Sequence, residues 1–432
     1  MADPKHPHGA HPSTAVLTRG FDPLLSVGSA RPAVFRSSTY VFATPEAAER
    51  AFNLVSGRAE AHPGETQDLI YSRFNHPNAE ILEDQMVPLE EGAEWAIVFN
   101  SGMAAIMTTL FTILKPGDAI VHTVPLYGGT QHLMHELLEP FGITCRAVAA
   151  GHSAELDEAI RTTPNLKVVL IETPANPTMM MVDIKRAALT AAQLPMKPVV
   201  IVDNTFLGPT FQHPITLGAD LVIYSATKYL GGFSDLLAGI VLGYDAVLQK
   251  PIRAKRGLFG NILQPDECWI LDGRLPTVSL RMNRQSKNAQ RIAESLVRRP
   301  EISKMHYPTL FDDPEQIRIR LAQCDYPGAM MSFELFGGKP AAFEFLRHLK
   351  LAHNAVSLGG METLVCHPKT TTHAVVSAEE LAIAGVTDGL VRISVGGEDW
   401  RDLLRDCEQA LDKVTALALS EAALIGTGSS KA

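Results

Sequence analysis

From residue 94 onward, short apolar runs recur along the chain, each ending in polar residues and followed by a stretch of helical spacing. The segments "WAIVF", "DAIVHT", "KVVLIETP", "VVIVDNTF" and "DLVIYS" are rich in Val and Ile and do not alternate with polar residues. That pattern predicts strands buried on both faces. Between them, "NSGMAAIMTTLFTIL", "GGTQHLMHELLEPFG" and "DIKRAALTAAQL" place apolar residues three and four apart and predict helices. Strands and helices in alternation predict an α/β fold, with a mostly parallel sheet covered on both sides. Ligands of such sheets gather at the carboxyl ends of the strands.

The texture changes near residue 265. A charged helical stretch, "TVSLRMNRQSKNAQRIAESLVRR", leads into "GAMMSFELFG", which alternates like a strand with one wet face. "EFLRHLKLAHNAVSLGG" and "DWRDLLRDCEQALDKVTALA" are helical in period. The expected division is an arm over 1–75, an α/β domain over 76–265 and a smaller α+β domain over 266–432. The arm holds little periodic structure and many Pro, Gly and Ser, and the tail "GTGSSKA" reads as disordered.

Composition narrows the function classes. Among 432 residues, 38 are basic and 47 acidic, a formal charge of −9. This argues against nucleic acid or an anionic membrane as the main partner, because both reward clustered positive charge. No apolar run approaches the roughly 20 residues that span a bilayer. The five cysteines, Cys145, Cys268, Cys324, Cys366 and Cys407, form no C-x-x-C pair. A reduced, cytoplasmic protein is expected, without a zinc site. His6, His8 and His11 sit in a Pro/Gly-rich terminus and read as bystanders, so no metal is expected.

Chemistry concentrates where the strands end. "VFNSGMAA" sets Ser101, Gly102 and Met103 between a strand and a helix, where free backbone N–H groups and a glycine suit an anion. "VVIVDNTF" ends an apolar strand on Asp203, and a buried carboxylate there needs a cationic or hydrogen-bonding partner. "VVLIETPANP" delivers Glu172 and Asn176 to the same rim. "DLVIYSATKY" delivers Lys228, flanked by the hydroxyls of Ser225 and Thr227. Partial desolvation lowers a lysine's pKa and frees its amine as a nucleophile toward carbonyls. Phosphate donors, a buried carboxylate and an activated lysine on one rim are the requirements of pyridoxal 5′-phosphate (PLP), with Tyr127 in "PLYGGT" available to stack on the ring. The run Ser225 to Lys228 also matches the S-x-x-K of serine acyl-enzymes, but the chain has no S-D-N, and that reading leaves Asp203 unexplained. Read alone, Arg392 near Glu398 and Asp399 suggests a surface ion pair.

Longer motifs make the match specific: "YSRFNHPN", "NSGMAA", "PLYGGT", "ETPANPT", "VDNTF", "SATKY", "AVSLGGMETLVCHP" and "LVRISVGGED". In these the sequence resembles the Cys/Met-metabolism family of PLP enzymes, which includes cystathionine γ-synthase, cystathionine lyases, methionine γ-lyase and homoserine-ester sulfhydrylases. The resemblance implies PLP fold type I, with a seven-stranded-type sheet in the large domain. It implies that Lys228 holds the coenzyme aldehyde and shuttles protons, that Asp203 pairs with the ring nitrogen, and that Tyr127 stacks on the ring and protonates the leaving group. Gly102, Met103, Ser225 and Thr227 hold the phosphate, and Ser101 and Thr205 join the cofactor-binding set. Tyr71 and Arg73 reach the neighbouring subunit's phosphate, which implies at least a dimer, and the resemblance extends this to the family's usual homotetramer, a dimer of dimers. Arg392, with Asn176 and Ser357, binds the carboxylate of a small amino-acid substrate.

The sequence also departs from that pattern. Tyr224 and Phe233 stand where the family commonly has His, Arg36 replaces a small or apolar residue, and the segment before Tyr71 is lengthened. Val356, before "SLGG", is apolar as in methionine γ-lyases, whereas Gly129 stands where those enzymes carry a cysteine. Three readings remain at this point. The first is γ-elimination from methionine, homocysteine, cystathionine or a canavanine-type substrate. The second is γ-replacement on an O-acylhomoserine, and the third is a non-catalytic PLP-binding homologue.

Overall fold

A computed structural model describes residues 11–428 except 18, 64, 66 and 67, with side chains described through 415. The expected metal bystanders His6 and His8, and the last residues of the tail, lie outside the described residues. Seven strands form the large sheet: β1 (Trp95–Phe99), β2 (Ala119–Val124), β3 (Thr144–Ala149), β4 (Leu166–Glu172), β5 (Val199–Asp203), β6 (Leu221–Ser225) and β7 (Gly239–Gly243). Their order is β1-β7-β6-β5-β4-β2-β3. The neighbours from β6 through β3 pair in parallel, and β7 runs antiparallel to both β1 and β6. Apolar residues cover both faces. Ile97, Phe99, Ile120, Leu170 and Ile223 pack in one cluster, and Val121, Val169, Ile171, Val200 and Val202 in another. That two-sided burial is why these strands read as unbroken apolar runs.

A second sheet contains β8 (Ile302–His306), β9 (Met330–Leu335), β10 (His353–Asn354), β11 (Leu364–Cys366) and β12 (Leu390–Ser394), in the order β10-β11-β12-β9-β8. Only β10 and β11 pair in parallel. The long helices Val278–Leu296 and Trp400–Gly428 accompany it. Two local expectations need correction. The helical reading of 344–360 ends at His348, because the chain leaves the helix Gly338–His348 for β10 and then the "SLGG" loop. The arm is less irregular than expected: Pro45–Val55 is a helix, capped by the Thr44 side chain, which accepts from Ala47 N at 3.1 Å.

The lengthened segment before Tyr71 is tied to that helix by an ion pair between Arg50 and Glu65 at 2.6 Å. Two departures from the family pattern are likewise paired. Arg36 forks onto Asp266, and Phe233 lies under the Arg274 guanidinium, 4.8 Å from its ring centre.

Candidate active site

The carboxyl ends of β4, β5 and β6, the first turn of the helix Gly102–Ile113 and one edge of the second sheet meet at a single rim. Lys228 follows β6 in a tight turn, with its N–H on Ser225 O at 3.0 Å. Its Nζ donates to Ser357 Oγ at 2.8 Å. Burial, and secondarily the charge of Arg392, lowers the Lys228 pKa to about 8. Ser357 has φ 81°, an uncommon conformation for a serine, and Gly359 has φ 82°. A Cβ on Gly359 would lie 2.6 Å from Tyr229 N and 2.9 Å from Lys228 C, so the "SLGG" loop can press on the lysine only with glycine there.

Asp203 ends β5 in register with Glu172 of β4 and Ile223 of β6. Its Oδ1 accepts from Thr205 N at 3.1 Å and Thr205 Oγ1 at 2.6 Å, and that hydroxyl in turn accepts from Ser225 N at 2.9 Å. Burial raises the Asp203 pKa, and no cationic side chain pairs with it among the described residues. Glu172 lies alongside. Its Oε2 accepts from Tyr127 N at 2.7 Å and its Oε1 from Asn176 N at 3.1 Å. Burial, then the charge of Asp203, pushes the Glu172 carboxyl well above the usual range. Glu172 therefore pins two candidate site residues by their backbones. The sequence placed it at the rim but gave no sign of this duty.

Ser101 caps the helix Gly102–Ile113, its Oγ accepting from Ala104 N at 3.1 Å. The amides of Gly102 and Met103 precede the first intrahelical donor, Ala105 N, and point out of the helix end. A Cβ on Gly102 would sit 3.0 Å from Ser225 Cβ, so that amide turn and the Ser225 hydroxyl border one space. Thr227 Oγ1 is tied to residue 238, accepting from Ala238 N at 3.0 Å. Tyr127 is 44% exposed. A Cβ on Gly129 would lie 2.6 Å from the Tyr127 ring and 3.1 Å from Met103 Sδ, so Gly129 makes room for that ring.

Arg392 corrects the ion-pair expectation. It is 3% exposed on β12, and its guanidinium donates from Nη1 to Asn176 Oδ1 at 3.0 Å and from Nη2 to Ser357 O at 2.9 Å. Glu398 instead accepts from Thr363 N and Oγ1, and Asp399 pairs with Arg401. Arg392 Nε has no partner among the described residues. A buried fork held by neutral acceptors is suited to an incoming carboxylate. Tyr71 and Arg73 are not brought to this rim. Tyr71 bridges to Thr39, and Arg73 Nη1 donates to Gly257 O at 2.7 Å.

The profile of the family described as Cys/Met metabolism PLP-dependent enzyme matches residues 13–412. The chain belongs to this family. It is 39% identical over 400 residues to L-methionine gamma-lyase of Pseudomonas putida, covering 92% of this chain and 96% of that protein. It is 38% identical over 360 residues to cystathionine gamma-lyase of Bacillus subtilis (strain 168), covering 83% of this chain and 93% of that one. Its fold matches the structure of cystathionine gamma synthase from Xanthomonas oryzae pv. oryzae in complex with cystathionine. That match has a TM-score of 0.85 at 32% identity and covers 94% of this chain and 99% of that one. The protein is a PLP-dependent enzyme of fold type I, in a family of lyases. The rim fits that coenzyme by its donor chemistry: an amine of lowered pKa for the aldehyde, a carboxylate without a cation for the ring nitrogen, and helix-end amides beside a hydroxyl for the phosphate. No helix among the described residues is long and apolar enough to cross a membrane. Nor does any group of three or more His, Cys, Asp or Glu side chains there stand ready to hold a metal.

Proposed function

We propose that this enzyme catalyses γ-elimination on a γ-substituted L-amino acid, consuming one water and releasing the protonated γ-substituent, ammonia and 2-oxobutanoate. The observation that carries this reading is the pairing of the Lys228 amine with Ser357 on the same loop whose carbonyl holds the Arg392 fork. The substrate carboxylate, gripped by Arg392 and Asn176, then presents its α-carbon to Lys228. PLP, when bound, supplies the electron sink for the negative charge left at that carbon. Lys228 takes the α-proton and then serves the β-carbon, its lowered pKa making the free base accessible near neutrality. Ser357 Oγ holds the amine between transfers. Tyr127, anchored by Glu172, gives the proton to the leaving group and would hold the coenzyme ring. Asp203, aimed by Thr205, would hold the ring nitrogen. The amides of Gly102 and Met103, with Ser101, Ser225 and Thr227, would hold the phosphate.

In this reading residues 1–75 form an arm that carries Tyr71 and Arg73 to a neighbouring subunit's phosphate. Residues 76–265 bind the coenzyme, residues 266–432 close the substrate side, and the enzyme works in the cytoplasm as a homotetramer. The γ-substituent enters a cleft of about 700 Å³ beside Ser357 and Thr227, lined by Val356, Glu267 and Glu362 and, among the described residues, by no basic side chain. That lining admits a thioether against Val356, or a polar tail such as that of cystathionine or canavanine. Purified enzyme incubated separately with methionine, homocysteine, cystathionine, canavanine and O-acylhomoserines, with oxo acid and ammonia assayed, tests the proposal. Oxo acid from one of the first four supports it. Turnover only of an acyl ester together with a thiol assigns γ-replacement instead.

A further inference from the structure

Tyr224 and Ser225 are consecutive in β6, so their side chains take opposite faces of the sheet. Ser225 borders the candidate site, whereas Tyr224 enters a buried polar network that the proposed chemistry does not use. Tyr224 and Glu90 are each 1% exposed, and Asn204 is fully buried. The Tyr224 hydroxyl donates to Glu90 Oε2 at 2.5 Å and accepts from Asn204 Nδ2 at 2.9 Å. The same amide donates to Gln212 O at 2.8 Å, and Gln212 Nε2 returns a bond to Asn204 Oδ1 at 2.8 Å. Asn204 N–H donates to Ile223 O at 3.1 Å, one residue before Tyr224. The peptide that follows Asp203 is thus clamped to β6 through backbone and side chain together.

Asp203 needs such a clamp. Among the described residues, its carboxylate accepts hydrogen bonds only from Thr205, and only through Oδ1. The direction of the carboxylate therefore depends on where the Asp203–Asn204 peptide lies. Glu90 provides the far end: burial pushes its carboxyl up to about 8, so at neutral pH it accepts from Tyr224 without adding a second negative charge behind Asp203.

We propose that Tyr224, backed by Glu90, is the positioning residue of Asp203, fixing through Asn204 the direction in which that carboxylate meets the coenzyme. This rests on the role of Asp203 proposed above. The test measures PLP affinity by absorbance titration, the visible circular dichroism of the bound coenzyme, and the melting temperature of the coenzyme-free protein. The variants are Tyr224→Phe, Glu90→Leu and Glu90→Gln, each made with Asp and with Asn at 203. The expected result is that Tyr224→Phe and Glu90→Leu weaken PLP binding about tenfold and alter the dichroism when Asp203 is present. With Asn at 203 they change the affinity less than about twofold. Glu90→Gln, which keeps an acceptor for the hydroxyl, retains parental affinity. Equal losses in the two backgrounds, or parental affinity in both Tyr224→Phe and Glu90→Leu, overturn the proposal. Should Tyr224→Phe fail to fold, the contrast between Glu90→Leu and Glu90→Gln decides. If Asp203→Asn alone binds PLP as the parent does, the reading of Asp203 falls and this inference with it. A weakened Asp203→Asn beside a parental Tyr224→Phe removes the positioning claim alone.

Discussion

The Lys228 amine donates at 2.8 Å to Ser357, a serine held at φ 81° by a loop that also supplies the acceptor for Arg392. Replacing the lysine removes both the base and the coenzyme's covalent partner. Lys228→Arg is expected to lower turnover by about 10³-fold or more. Borohydride should fix coenzyme to the Lys228 peptide of the parent and not to that of the variant. Undiminished turnover in Lys228→Arg would remove the basis of the proposed mechanism.

The amine also gives the coenzyme-free protein a pH signature. Burial holds the Lys228 pKa near 8, against 10.5 for an ordinary lysine. Between those values the unfolded chain carries the proton and the folded chain does not, so this group's contribution to stability rises with pH from about 8 to 10.5. Lys228→Met should therefore raise the melting temperature of the coenzyme-free protein more at pH 7 than at pH 10. Scanning calorimetry at the two pH values checks this.

Glu90 acts with the opposite sign. Its folded pKa of about 8 exceeds the ordinary 4.5, so between these values the folded chain keeps a proton that the unfolded chain has lost. Stability from this group is complete below about pH 4.5 and falls as pH climbs to about 8. Glu90→Gln should be close to neutral at pH 5 and stabilising by about 2–4 kcal/mol at pH 8, read as melting temperature without coenzyme.

Arg392→Leu should raise KM by about 100-fold, with a smaller change in kcat, because the lost contact binds the substrate carboxylate in ground and transition states alike. Arg392→Lys should recover only part of the affinity, since an ammonium cannot supply two parallel donors. Initial rates across substrate concentration separate the two parameters. An unchanged KM would detach Arg392 from substrate binding.

Gly359→Ala forces a side chain into a left-handed residue 2.6 Å from Tyr229 N. The expected cost is about 2–4 kcal/mol, read as a lowered denaturation midpoint of the coenzyme-free protein.

The parallel core was legible because β4, β5 and β6 are buried on both faces and so are unbroken apolar runs in the sequence. β7 was not. "GIVLG" is short and glycine-bounded, and Gly239 is needed because a Cβ there would lie 2.1 Å from Ser101 O, a reason visible only once the strands are paired. β3 escaped notice as an edge strand with exposed and half-exposed residues. Lys228 and Asp203 could be found from sequence, since a charged residue ending an apolar strand needs an explanation. Only the resemblance pointed Arg392 toward a substrate; read alone it suggested an ion pair, because proximity in sequence favoured Glu398, while the turn after Ser394 carries that carboxylate to Thr363. Glu172 and Tyr224 act on residues 45 and 20 positions away, Tyr127 and Asn204, so no local pattern announces them.

Arg392 rides on β12 of the small sheet, yet its fork closes on Asn176, in the loop that follows β4 of the large one. The span between the carboxylate grip and the amine is therefore gauged by how the two sheets abut, as a calliper is by its hinge. The seam bond from Ser332 Oγ to Pro177 O, at 2.7 Å, sits at that hinge and joins the cross-strand partner of Arg392 to the residue that follows Asn176. Slack introduced there would misalign substrates of every length together, without favouring one tail over another.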